Sequence, residues 1–182
     1  MSNVRYCRDP RVGRPEHGCT SVRAWEIFDS LPAVRVAEIT TGRWCGRELP
    51  TGHPMDGALA ESGWYGKQFD TPEHVYPLLF ADERGTIVAV SPRRVPMSLA
   101  GRVPSRLLRP VRNRLSVLAP LLRTSQPGAR LREIEYRGVT SAAMVYDHLP
   151  IIDHFRRLDE NTLFGVMDKR GLAQPYFFVL ER

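Results

Sequence analysis

The spacing of hydrophobic positions changes along the chain. From Val22 to Leu31, Trp25, Ile27 and Phe28 supply one apolar face and Pro32 follows, which predicts a short helix. Val34 to Leu49 carries Val36, Ile39, Thr40, Thr41 and Trp44 and is closed by Pro50-Thr51-Gly52, the composition of a strand and a turn. Met55 and Leu59 fall at helical spacing with Gly63 beyond them, so a second short helix is expected from about Met55 to Ser62. The apolar runs Val75 to Phe80 and Ile87 to Val90, parted by Ala81-Asp82-Glu83-Arg84-Gly85, predict a hairpin.

The last third is the clearest β region. Leu131 to Arg137, Val139 to Tyr146, Ile152 to Leu158, Thr162 to Met167 and Tyr176 to Leu180 read as strands, with Gly138, His148-Leu149-Pro150, Asp159-Glu160-Asn161 and Asp168 to Gly171 as turns. Consecutive short strands of this kind form an antiparallel meander, and a long meander tends to close because closure removes exposed edges. Between the two β regions, Leu107, Leu108, Val111, Leu115, Leu118 and Leu122 recur at helical spacing, interrupted by Pro110 and Pro120, as in a kinked or broken basic helix.

These elements predict a mainly-β (α+β) chain. Residues 1–22 read as a flexible tail and residues 23–182 as one domain, with an Arg-rich insertion over about 93–130 and a C-terminal meander over about 131–182. At 182 residues the chain is long enough to bury a core without staples. The net charge of +6 is unevenly placed: Arg93 to Arg132 holds ten arginines and no acidic residue, so the remainder carries net −4. Three cysteines without regular spacing do not make a disulfide framework, and no metal site is expected. No run reaches the roughly 20 apolar residues of a membrane span, and a cytoplasmic location is the expectation. The basic segment lacks aromatic interleaving, so no nucleic-acid partner is expected.

Gly42-Arg43-Trp44-Cys45-Gly46 is a G-x-W-x-G motif, followed by Thr51-Gly52-His53-Pro54-Met55-Asp56-Gly57 and Gly63-Trp64-Tyr65-Gly66-Lys67. With the stretches Tyr136 to Asp147, Pro150 to Arg156 and Gly165 to Asp168, these resemble the GXWXG-domain family and its companion C-terminal domain of unknown function. The GXWXG part would span about 26–82. The resemblance implies, by analogy, an antiparallel calycin- or lipocalin-like β-barrel with one or two short helices. In such barrels a Trp like Trp44 seals one end under a basic side chain, here Arg156 or Arg137. Fold alone does not set the activity.

Several residues carry candidate chemistry. Trp44 is a plug or a ligand wall, and Trp64 and Tyr65 offer further aromatic surface. His53 and Asp56, three apart at a helix start, would form an oriented acid–base pair, or else only pack and cap. Lys67, one of two lysines, is either a surface partner of Asp70 or a desolvated base or Schiff-base nucleophile. Tyr146 and Asp147 end a strand. Asp153 and Phe155 share one face of the next strand and Arg156 the other, so a buried Asp153 needs a partner such as Arg137 or Tyr146. Met144 would line the same interior.

The expectation is therefore a cofactor-independent isomerase, cyclase or lyase acting on a hydrophobic small molecule in an apolar barrel pocket, in specialised metabolism. His53, Asp56, Tyr146, Asp147 and Asp153 would be catalytic. Trp44, Trp64, Tyr65, Lys67, Met144, Phe155 and Arg156 would contact the ligand. The alternatives are a non-catalytic carrier of an apolar ligand or of haem, with His74, His148 or His154 as iron ligands, and a protein docked to a membrane or partner by its arginines. A homodimer is compatible with all three.

Overall fold

A computed structural model describes residues 18–81, 85–94 and 122–182. In chain order the elements are α1 (Ser21–Ser30), α2 (Val36–Ile39), β1 (Gly42–Glu48), α3 (Ala58–Ser62), β2 (Trp64–Thr71), β3 (His74–Ala81), β4 (Ile87–Ala89), β5 (Ala129–Tyr136), β6 (Val139–Tyr146), β7 (Ile151–Asp159), β8 (Thr162–Lys169) and β9 (Tyr176–Glu181). Strands β1, β2, β3, β5, β6, β7, β8 and β9 pair antiparallel in that order, and β9 returns to β1, closing an eight-stranded barrel. β4 takes the part of the β3 edge that β5 leaves open: β5 meets β3 at Val75, β4 at Leu79 to Ala81. Among the described residues no helix is long and apolar enough to cross a membrane.

The meander forms as its short strand runs and intervening turns predict. β5 and β6 are joined by Arg137 and Gly138, both at positive φ (53° and 76°), the conformation of a two-residue hairpin turn whose twist matches the strands. Three expectations fail. The strand foreseen from Val34 begins only at Gly42. Before it, the Glu38 carboxylate takes the Arg35 N–H at 2.6 Å and the Thr40 N–H returns to the Val36 carbonyl, which winds Val36–Ile39 into one helical turn. Strand β2 was not foreseen, because its inward positions do not alternate. The end of the expected tail is ordered: Cys19 donates to the Pro50 carbonyl and Thr20 caps α1 through the Arg23 N–H. Of the Arg-rich insertion expected over about 93–130, residues 95–121, with nearly all of its expected helix, lie outside the described residues.

Inside the barrel the apolar residues form one cluster, and α1 builds a second on the outer wall. Phe28 of α1 packs on Phe164 of β8, and Trp25 lies edge-on to Phe177 of β9. Phe164 and Phe177 alternate with inward Leu163 and Phe178, so β8 and β9 are apolar on both faces. Each large side chain so buried contributes roughly 1.5–3 kcal/mol.

Trp44 closes the barrel end at which β1 begins. Its indole N–H donates to the Ile39 carbonyl at 3.3 Å, so α2 is the lid of that end. The cation over Trp44 is Arg182, 4.7 Å from the ring centre. Arg156 and Arg137, expected in that place, stack instead on Phe28 and Trp25 of α1. β6 and β7 pair only over Ala143 to Val145. Beyond that they separate, and the segment after α1 fills the gap: Arg157 donates to the Pro32 carbonyl, Ala142 to the Val34 carbonyl, and Val34 to the Ser141 hydroxyl.

Candidate functional site

The site grows from an irregularity in β2. Between Trp64 and Gly66 two residues of β2 oppose one step of β3, and Gly66 takes φ 145°. A Cβ there would overlap the Trp44 carbonyl, so only glycine fits. The extra residue breaks the alternation and brings both Trp64 and Lys67 inward, with Tyr65 half-buried between them. On β3 the register slips again around Pro77, a residue that has no N–H for the ladder. The Pro77 carbonyl lies 3.4 Å from Lys67 Nζ and accepts from it.

Lys67 Nζ lies 2.8 Å from Asp153 Oδ2, and both side chains are almost fully buried, at 4% and 2% exposure. The expected surface pairing with Asp70 does not occur; Asp70 accepts from Gln68 instead. Asp153 sits on β7 opposite Met144 of β6 and Met167 of β8, thioether neighbours that supply no strong polar partner. Burial pushes the Asp153 carboxyl above its ordinary range, against the pull of Lys67. Around Nζ stand Phe178, Trp64 and Tyr146, with ring centres 5.1, 5.6 and 5.7 Å away. Burial holds the Tyr146 phenol well above its ordinary pKa, and the Asp153 charge pushes the same way. Two buried polar atoms here have no partner among the described residues: Asp153 Oδ1, an acceptor, and Trp64 Nε1, a donor.

Glycine makes room for these walls. A Cβ at Gly46 would overlap the Trp64 ring, and one at Gly165 the Phe178 ring. Gly165 lies between Phe155 and Phe178 on its neighbouring strands, and the two rings meet edge-on across it at 6.2 Å. Phe155 continues to Phe69 and thence to Trp44, so aromatic contacts run from the rings around Lys67 to the closed end.

At the other end a second polar group forms. Glu48, inward on β1, accepts from Tyr176 Oη at 2.5 Å and from the Gly57 and Leu59 N–H groups at the start of α3. Burial raises its pKa, these hydrogen bonds opposing. His53 is buried edge-on to Tyr176. The expected His53–Asp56 pair is not formed. Asp56 Oδ2 accepts the N–H groups of Thr51, Gly52 and His53 and so organises the loop, while His53 Nδ1 accepts the Met55 N–H at 3.0 Å. Burial lowers the His53 pKa.

The other candidates separate by face. Met144, Tyr146, Asp153 and Phe155 face inward, as does Trp44. Asp147, next to Tyr146, faces out and pairs with Arg130 at 2.7 Å. Arg156 is buried outside the barrel under α1, donating to the Tyr136 carbonyl. His154 stacks on Tyr136 on that outer wall, and His74 and His148 are exposed. An open cleft of about 540 Å³, lined by Arg43, Gln68, Tyr76, Ile87, Ala89 and Arg123 among others, also lies on the outer wall. Glu48, Tyr176, Phe178 and Pro77 went unnoticed in the sequence. Trp44, Gly46 and Glu48 share a period of two, which was the available signal for Glu48.

Residues 26–85 match the family described as GXWXG protein, and residues 127–182 match the Domain of unknown function (DUF4334). A crystal structure of a protein from Thermomonospora curvata is 32% identical over 91% of this chain and 88% of that one, with a TM-score of 0.67. The chain belongs to the GXWXG family. None of the curated proteins matches it. The GXWXG part supplies β1 to β3 and the companion part β5 to β9, so neither closes a barrel alone. The Lys67–Asp153 pair and its ring walls lie across that division: Trp64 and Lys67 come from the GXWXG part, and Tyr146, Asp153 and Phe178 from its companion.

Proposed function

We propose that this GXWXG protein binds a small, largely apolar organic molecule inside its barrel and moves a proton on it through Lys67 and Asp153, in an isomerase-, cyclase- or lyase-type reaction that needs no cofactor. The observation that carries the reading is the buried Lys67–Asp153 pair, walled by three aromatic rings, whose second carboxylate oxygen has no partner. A raised carboxyl beside an amine is a proton relay, since proton transfer is fastest between groups whose affinities approach each other. Trp64 Nε1 supplies a donor for the polar head of the ligand. His53 and Asp56 then belong to the loop over the barrel end rather than to the proton transfer.

The first test is native mass spectrometry of freshly purified protein, followed by denaturation to release and identify any bound molecule. That molecule, or a panel of apolar carbonyl compounds, is then incubated with protein in deuterium oxide. Deuterium uptake by the ligand should fall about 10²–10⁴-fold in Asp153→Asn and persist in His53→Ala. Binding without uptake would favour a carrier, a reading that the unpaired Trp64 and Asp153 atoms also support. Uptake equally fast in Asp153→Asn would end the assignment.

A further inference from the structure

Resting on that reading and going one step beyond it, we propose that Lys67 forms a covalent imine with an aldehyde or ketone taken into the barrel beside it, and that Asp153 becomes the counter-ion of the protonated imine. Three features support a nucleophile rather than a mere structural cation. Lys67 Nζ is buried where carbonyl attack is not diluted by water, its hydrogen-bonded partners are a single carboxylate oxygen and one backbone carbonyl, and three aromatic rings surround it. Asp153 Oδ1 is free to receive a proton, and Trp64 Nε1, whose ring centre is 5.6 Å from Nζ, is free to donate to a carbonyl oxygen. An apolar carbonyl compound is the ligand class that uses all of these at once: its chain meets the rings, its oxygen the indole N–H, and its carbon the amine.

The step balances without a redox partner. The ammonium passes one proton to Asp153, and the freed nitrogen pair adds to the carbonyl carbon while the C=O π pair moves to oxygen. Asp153 returns the proton to that oxygen, giving a carbinolamine whose nitrogen still carries two protons and the positive charge. A second proton from nitrogen, relayed by the same carboxylate, lets the C–O bond break and water leave. The nitrogen keeps its last proton as the iminium, so one positive charge stands on each side of the reaction, and the Asp153 carboxylate faces it as Lys67 did.

The chain has only two lysines, Lys67 and Lys169, which makes the test direct. Native protein is treated with trans-cinnamaldehyde and sodium cyanoborohydride and then mapped by peptide mass spectrometry. The expected product is an adduct of the probe mass less one oxygen atom, at least ~10-fold enriched on Lys67 over the more exposed Lys169, although burial alone predicts the reverse. The preference should vanish when the same protein is labelled in urea. Calorimetry with cinnamyl alcohol, the same skeleton without a carbonyl, measures binding independently. Alcohol binding with no enrichment at Lys67 would overturn the imine and leave the proton-transfer reading standing. Absence of both binding and adduct would overturn the two together.

Discussion

Replacing Lys67 by methionine leaves Asp153 buried with no cation. At 2.8 Å and an effective dielectric near 20 the attraction lost is about 6 kcal/mol, offset by the desolvation of the ammonium that no longer has to be buried. Removal of one partner from a buried pair typically costs about 3–5 kcal/mol, which for a chain of this length lowers Tm by about 8–13 °C. The cost depends on pH, and its sign follows from Asp153. Burial already raises the carboxyl, and without Lys67 the two influences that lower it disappear. A carboxyl whose folded pKa exceeds its unfolded one loses stability as pH rises from the unfolded value through the folded value. Lys67→Met should therefore come closest to wild type in urea on the acid side, at about pH 5, and fall furthest below it at about pH 8. The double variant Lys67→Met/Asp153→Leu should regain most of the loss, since an apolar pair of similar volume carries no desolvation cost. Urea titrations followed by tryptophan fluorescence at the two pH values measure this. A loss equal at both, or a double variant no more stable than the single, would refute the reasoning.

Gly46→Ala should cost about 1–3 kcal/mol and weaken ligand binding, because its Cβ overlaps the Trp64 ring; thermal unfolding with and without ligand reads both effects. His154 is held at about 4 by burial against an ordinary 6.5, so its contribution is present above about pH 6.5 and is lost as pH falls toward 4. His154→Phe, which retains a ring against Tyr136, should flatten the acid side of a Tm-against-pH profile.

The meander was legible because β5 to β9 are short runs of strand-forming residues set between turns that contain Gly, Pro, Asn or Asp. β2 was not, because the bulge at Gly66 puts Trp64 and Lys67 on one face although three residues apart, a spacing that resembles a helix more than a strand. α2 was hidden inside an apolar stretch, since a helical turn fixed by one carboxylate, that of Glu38, has no periodicity to display. Asp153 was legible as inward-facing from its shared face with Phe155, but its partner was not: Arg137 faces α1, and the ladder of closure alone brings β2 across from β7. His53 and Asp56 misled because their spacing suits a helix start, whereas the loop is wrapped around the Asp56 carboxylate and α3 begins only at Ala58.

Closing this barrel does not require a charge at its centre. A buried ion pair is seldom more stable than an apolar pair of the same volume, and here it comes with other departures from local consistency. Gly66 adopts a conformation disfavoured for any side chain, Pro77 removes a ladder hydrogen bond, and Gly46 gives up packing of its own. Each weakens the sheet where it stands, and all lie on strands that bring Lys67 and Trp64 inward. Strain scattered at random would relax at separate places. Strain that converges on one amine, one carboxylate and one indole, with an acceptor and a donor left without partners among the described residues, supports the barrel interior around Lys67 as the place where this GXWXG protein meets its ligand.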